Sequence, residues 1–191
     1  KITHFPVIHC RQGSIGYKLE WNGLSMIYTS DTRPETHCIK QAINKKNGVE
    51  NGVDVFIHEM VVPPEVWAMK NMGLTEPGHG PIWDATLEDM QKVQNSSHTP
   101  QGAFGYLLSQ IDPRPRLTVA THFPVAEDTV KCALNSVKNY VPGIEQGNRD
   151  GDMVFSFDRM VLRVFAETPK TPVLQRKAKE AVYAMAMELR Y

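Results

Sequence analysis

Apolar and polar side chains alternate with a period of two from Ser14 to Trp21, and a second such run, Leu24 to Tyr28, follows directly after Asn22-Gly23. That period puts successive side chains on opposite faces of a strand, and Asn-Gly suits a tight turn, so the segment predicts a β-hairpin. An earlier apolar stretch, Phe5-Pro6-Val7-Ile8, predicts a strand that ends at His9. The short runs Val53 to Ile57 and Leu117 to Phe123 predict buried strands, the first delivering His58-Glu59 and the second His122. Helical spacing predicts a helix over 34–46 with Ile39, Ala42 and Ile43 inward, stopped by Asn47-Gly48. A helix is expected from Pro63-Pro64-Glu65 to Met69 or Lys70. Another spans 84–94, capped by Asp84 with Leu87, Met90 and Val93 on one face. Further helices are expected over 100–110, with Ala103, Tyr106, Leu107 and Ile111 inward, and over 127–138, with Val130, Ala133, Leu134 and Val137 inward. After a polar loop over 143–152, Met153 to Phe157 and Met160 to Phe165 predict a hairpin across Asp158-Arg159. A last helix runs from about Val173 to Leu189, its apolar face suited to the sheet or to a partner subunit in a homo-oligomer.

Helices alternating with strands predict a layered α/β protein, read as one domain over 1–191. Gly73, Pro77, Gly78, Gly80 and Pro81 break the chain repeatedly, which marks an irregular insertion near 61–83. Trp67, Met69, Met72 and Trp83 lie in it, and they suit either an apolar substrate or simple packing of the insertion. A content of 41% hydrophobic residues fits a globular core. Lys+Arg and Asp+Glu stand at 21 each, a balance that argues against a broad basic surface for nucleic acid. Cys10, Cys38 and Cys132 form no Cys-x-x-Cys pair and are read as buried thiols of a reducing, cytoplasmic setting, with Cys10 open to a ligand role beside His9. No run of about 18 apolar residues is present, so no membrane-spanning helix is expected. The chain begins at Lys1 close to its first strand, and a longer natural protein is expected.

The candidate chemistry gathers at predicted strand ends. Asp31 lies in Ser30-Asp31-Thr32-Arg33-Pro34, just past the strand that ends at Tyr28. An acidic residue there suits either a helix cap or a site built on a rigid strand end. His9, His98 and His122 also fall where strands or loops meet turns, and imidazoles with one carboxylate are a zinc-type donor set. His98, in Ser97-His98-Thr99-Pro100, precedes a helix start, and Glu59 is expected beside it, holding the ring protonated for acid work. His58 and Glu59 alternate across their strand, so no more than one of them faces the metals, and both are read as orienting groups. His4, His37 and His79 are read as surface residues, and Arg114 and Arg116 as surface charge remote from the site.

In order, His9, Ser30-Asp31-Thr32-Arg33-Pro34, His58-Glu59, Ser97-His98-Thr99 and Thr121-His122-Phe123 resemble the second half of a metallo-β-lactamase-fold hydrolase, most closely the ribonuclease Z-like branch. The resemblance covers roughly His4 to Leu162 and implies an αββα sandwich, with the second half of the sandwich in this chain. It implies two divalent metal ions, zinc first with manganese or iron as alternatives. His9 and His122 would each bind one ion, Asp31 would bridge both, and His98 would donate a proton or stabilise the transition state. The implied activity is two-metal hydrolysis of a phosphodiester or a carboxylic ester or lactone by a metal-bound hydroxide. The family's front signature, two histidines, an aspartate and a further histidine packed into a few residues, does not occur in the chain. A missing N-terminal segment or a partner chain carrying further ligands is therefore expected, and the alternative is a non-catalytic half that needs another polypeptide to complete its metal site.

Overall fold

The structure, a computed structural model, describes residues 1–46, 48–122, 127–147, 149–157, 159–166 and 174–175. The predicted front hairpin is present. Strand β1 (Ile2–Pro6) pairs antiparallel with β2 (Ile15–Trp21), which pairs antiparallel with β3 (Leu24–Tyr28). The turn between β2 and β3 places Asn22 at φ 50° and Gly23 at φ 76°, the left-handed pair that a type I′ turn demands.

Helix α1 (Thr36–Gln41) is shorter than expected at both ends. The Glu35 carboxylate caps it by accepting from the His37 and Cys38 amides, so Pro34 stays outside the helix. After Ala42 the chain forms β4 (Ile43–Lys46), which turns back into β5 (Val49–Gly52). The pairing of β4 with β5, Lys46 opposite Val49, stands where a long helix was expected to end, and Asn47 lies outside the described residues. Lys18 on β2 donates from Nζ to the Gln41 carbonyl at 2.8 Å, fixing the end of α1 to the sheet, and burial lowers the pKa of its ammonium.

Strand β6 (Val55–Glu59) adds parallel to β3. Helices α2 (Pro64–Met72), α3 (Pro81–Ser97) and α4 (Gln101–Ser109) precede β7 (Leu117–Thr121), and α5 (Glu127–Lys138) precedes β8 (Asp152–Phe155). The main sheet has the order β1-β2-β3-β6-β7-β8, with β3, β6, β7 and β8 mutually parallel. Two antiparallel steps bring β1 into the same direction as β3, so five of the six strands end at one edge. The protein is thus a mixed α/β fold built on a central sheet. One face of the sheet packs Ile27, Phe56, Ala120 and Met153 against α1, α2, α4 and α5, through side chains such as Cys38, Trp67, Phe104, Leu107 and Val137. The other face is also apolar, and Val55, Leu117, Val119 and Val154 lie under Met160, Leu162 and Val164. Register carries that second face onto the hairpin, where Ile2 pairs with Leu19 and Tyr17 with Tyr28. There Ile2 (72%), Tyr17 (45%) and Trp21 (69%) are exposed.

Several expectations need correction. Asp84 lies inside the first turn of α3 and the cap position is Gly80, since Pro81 supplies the helix start. On the same helix Gln94 is buried and Val93 is 40% exposed, because the inward spacing runs Trp83, Leu87, Met90, Gln94 and Ser97. On α4 Leu107, and Ile111 just beyond it, are buried as expected, but Gln101, Phe104, Gly105 and Leu108 share the inward face and Tyr106 is exposed. Among the described residues, Met160 to Val164 form no strand, and the expected pairing of this stretch with Met153 to Phe157 is not made. They lie across the sheet instead, where apolar packing outweighs edge pairing. Cys10 and Cys132 are exposed and only Cys38 is buried, where desolvation raises its thiol pKa steeply. The loop over 143–151 is not wholly polar in role, because Ile144 is 1% exposed. Phe123, Asp158 and most of the last expected helix lie outside the described residues, but at its expected start Leu174–Gln175 form a short strand antiparallel to Phe165–Ala166.

Gly52 lies against the backbone after α4, where an added Cβ would sit 2.0 Å from the Arg114 carbonyl oxygen. Backbone cannot swing aside as a side chain can. Gly52→Ala is therefore expected to destabilise the chain by about 1–3 kcal/mol. A lower urea midpoint at unchanged slope checks this, and an unchanged midpoint refutes the tight contact.

Candidate functional site

Parallel pairing sets the frame of the site. β1, β3, β6 and β7 end at one edge, and the chain leaving them carries His9, Asp31, His58-Glu59 and His122. His98 reaches the same edge from the turn between α3 and α4, which is tied to the chain after β6. The Val61 amide donates to the Thr99 carbonyl at 2.9 Å, and Val61 bridges Pro100. Two bends at this edge use uncommon backbone. Ser30 has φ 58° and His122 has φ 55°, a left-handed conformation that costs a non-glycine residue about 1–2 kcal/mol and clusters at functional loops.

Asp31 does not cap a helix, since Glu35 takes that role. Its carboxylate lies 3.9 Å from His122 Nε2, and Asp31, His98 and His122 present ligand atoms within 4.8 Å of one another. Among the described residues this is the one group of three such side chains. The His98 and His122 rings stack at 5.3 Å, and the His9 ring meets His98 edge-on at 5.4 Å. His9 is thus brought to the site but is not a member of the close trio. Its Nδ1 lies 3.1 Å from the Ser97 carbonyl oxygen, which can only accept, so in the neutral ring Nδ1 carries the proton and Nε2 the lone pair. That is the tautomer a metal-binding imidazole needs.

Glu59 is fully buried and joins two parts of the edge. Its Oε2 lies 2.8 Å from His98 Nδ1, and its Oε1 accepts from the Thr32 amide. The hydrogen bond from His98 to Glu59 raises the imidazole pKa against an opposing loss of hydration, and the negative charges of Glu59 and Asp31 act in the same direction. His58, the neighbour of Glu59, turns to the helix side, stacked on Phe56 at 5.4 Å and tilted to Phe104 at 5.7 Å. Its burial lowers the ring pKa to about 3, so it is neutral at physiological pH.

The inserted helix α2 brings Trp67 to the site, with its ring 6.3 Å from His98 in an edge-on arrangement. Trp83 is 6% exposed. Three threonines escaped sequence reasoning, namely Thr29, Thr32 and Thr99. They are fully buried and hydrogen-bonded around His58 and Glu59. Hydroxyls at strand ends are too common to stand out, and only their adjacency to Asp31 and His98 marked them. His4, His37 and His79 are exposed as expected. Arg116 pairs with Asp54 and Asp150 near the start of β7, away from the edge.

No protein-family model matches the sequence, and no curated protein matches it. Among solved structures, the chain is similar to the metallo-β-lactamase fold protein YhfI from Bacillus subtilis, with a TM-score of 0.49 and 12% identity. The overlap covers 81% of this chain and 46% of that one, so the chain spans less than half the length of that protein.

Glu59 has a measurable consequence for His98. An imidazole whose pKa stands higher folded than unfolded stabilises the folded chain fully below about pH 6.5, and that contribution is lost as pH rises through the folded value. In chelator-treated Glu59→Gln, the His98 titration followed by NMR is expected to move down, and this part of the pH dependence of unfolding to vanish. An unmoved titration would show that Glu59 does not control His98.

Proposed function

We propose that the chain is a metal-dependent hydrolase of the metallo-β-lactamase type, similar to the ribonuclease Z-like branch, acting on a phosphodiester or a carboxylic ester or lactone. The observation that carries the reading is the meeting of Asp31, His98 and His122 within ligand reach, from segments far apart in the chain. One carboxylate with imidazoles fits a divalent ion, zinc first and manganese or iron as alternatives. His9, Asp31 and His122 are the proposed holders of the metal, a pair of ions in the full site. When bound, a divalent ion polarises the scissile phosphoryl or carbonyl oxygen and makes water more acidic.

The chain's own residues supply the proton chemistry. Glu59 accepts from His98 Nδ1 and stabilises the imidazolium, which leaves Nε2–H as the proton to give. From there His98 gives its proton to the oxygen leaving the scissile centre. Trp67 flanks the ring edge-on.

Two observations favour other readings of the same site. The close trio contains His98 and not His9, which favours His98 as a ligand. The exposed apolar hairpin face, Ile2, Tyr17 and Trp21, favours a chain that another polypeptide segment covers and completes, bringing further ligands. In that case the isolated chain is a non-catalytic half.

Zinc titration and a screen of aryl phosphodiesters, aryl esters and lactones separate these readings. Asp31→Asn is expected to weaken zinc binding by about 10–100-fold. His98→Ala is expected to keep its zinc and lose about 10²–10⁴-fold in kcat. Loss of zinc from His98→Ala makes that residue a ligand instead. A wild-type chain with neither zinc nor turnover selects the incomplete half.

A further inference from the structure

His58 has no part in the chemistry proposed above, yet it is fully buried and both of its ring nitrogens are engaged. Nδ1 lies 2.7 Å from Thr29 Oγ1 and Nε2 lies 3.1 Å from Thr99 Oγ1. Thr99 Oγ1 is also 2.6 Å from the Thr32 carbonyl oxygen. Counting protons orders this chain of contacts. A carbonyl only accepts, so the single Thr99 hydroxyl proton goes to Thr32, and Thr99 Oγ1 must accept from His58 Nε2–H. His58 Nδ1 is then a lone pair, and Thr29 donates to it at 2.7 Å, the shortest contact its hydroxyl makes, ahead of the Ser30 and Ile57 carbonyls at 3.1 and 3.4 Å. The links run in one direction, from Thr29 to His58 to Thr99 to the Thr32 carbonyl.

Thr29 and Thr32 flank Asp31, and Thr99 follows His98. Glu59 makes a parallel tie, binding the Thr32 amide with one oxygen and His98 with the other. Two consecutive residues at the end of β6 therefore each join the Asp31 loop to the His98 turn, one tie charged and one through a neutral ring. Long-range backbone hydrogen bonds support each loop from outside, from Arg33 N to the Ile8 carbonyl and from Val61 N to the Thr99 carbonyl. The direct cross-connections between the two loops run through His58, Glu59 and the Thr99 hydroxyl.

We propose that His58 is a positioning residue, an Nε2–H imidazole that fixes the Asp31 loop against the His98 turn through the directed chain Thr29, His58, Thr99, Thr32. The inference rests on the reading of Asp31 and His98 as working groups, since their mutual distance is what the chain holds. Substitution is structurally mild here. Without the ring, Thr99 still donates to the Thr32 carbonyl, and Thr29 has the Ser30 carbonyl at 3.1 Å and the Ile57 carbonyl at 3.4 Å. No buried donor is orphaned, and Phe56 and Phe104 offer an apolar lining to a phenyl ring.

The test is amide exchange and histidine nitrogen NMR on the wild-type chain, His58→Phe and the isosteric Thr29→Val. Wild type is expected to show His58 with a proton on Nε2 and a lone pair on Nδ1. A proton on Nδ1 overturns the chain's direction and with it the proposal. In both variants the Thr32 amide is expected to exchange about 5–10-fold faster, with the core amides of Ile27 and Phe56 unchanged. Unchanged Thr32 exchange, or an equal rise across the core, overturns the proposal. In the hydrolysis assay the variants are expected to lose about tenfold in kcat at constant KM, and full kcat with fast Thr32 exchange overturns the positioning role. Neither NMR measurement needs substrate or metal. A wild type that hydrolyses nothing defeats the hydrolase reading alone, and the exchange result still decides the tie.

Discussion

A carboxylate with no exposure to water is the constraint around which this edge is assembled. Glu59 is buried, and a buried charge is tolerated only when donors surround it, because its lost hydration costs several kcal/mol. Its two oxygens are met by the Thr32 amide and by His98 Nδ1. Satisfying Glu59 therefore draws the loop after β3 and the turn before α4 to the same place. His122 arrives on the neighbouring strand and Asp31 lies next to Thr32, so the remaining groups converge on a position already determined.

The legible part of the sequence was local. Alternation and the Asn22-Gly23 turn specified the front hairpin, and helical spacing specified α5 over Glu127–Lys138, because short-range sterics and one buried stripe decide those elements. The stretch after Pro34 was misread because Ile39, Ala42 and Ile43 satisfy a helical period equally well. The choice of a strand at Ile43 depends on pairing with Val49–Gly52, which a helical wheel does not see. On α4 the exposure of Tyr106 has the same origin, since Leu107 and Ile111 lie inward in either case and a helical wheel does not choose between Tyr106 and Phe104. At Gly105 the backbone of Val137 lies 3.0 Å from where a Cβ would stand.

For the site, residue type and position at strand ends were enough to nominate His9, Asp31, Glu59, His98 and His122, and all five side chains gather at one edge. Their internal arrangement was not legible. Whether His9 or His98 stands nearest Asp31 depends on ring orientation, set by contacts to the Ser97 carbonyl and to Glu59 that span 88 and 39 residues of sequence. The threonine hydroxyls around His58 were invisible for the same reason.

The spacing of the edge comes from the sheet and not from the side chains. β3 and β7 flank β6, so Asp31 and His122 leave backbones two strand separations apart, roughly 9–10 Å, and lean together over the end of β6. Main-chain hydrogen bonds maintain that interval whatever side chains the strands carry. Interior residues of the sheet can therefore be exchanged among apolar types while the interval between the Asp31 and His122 backbones stays put.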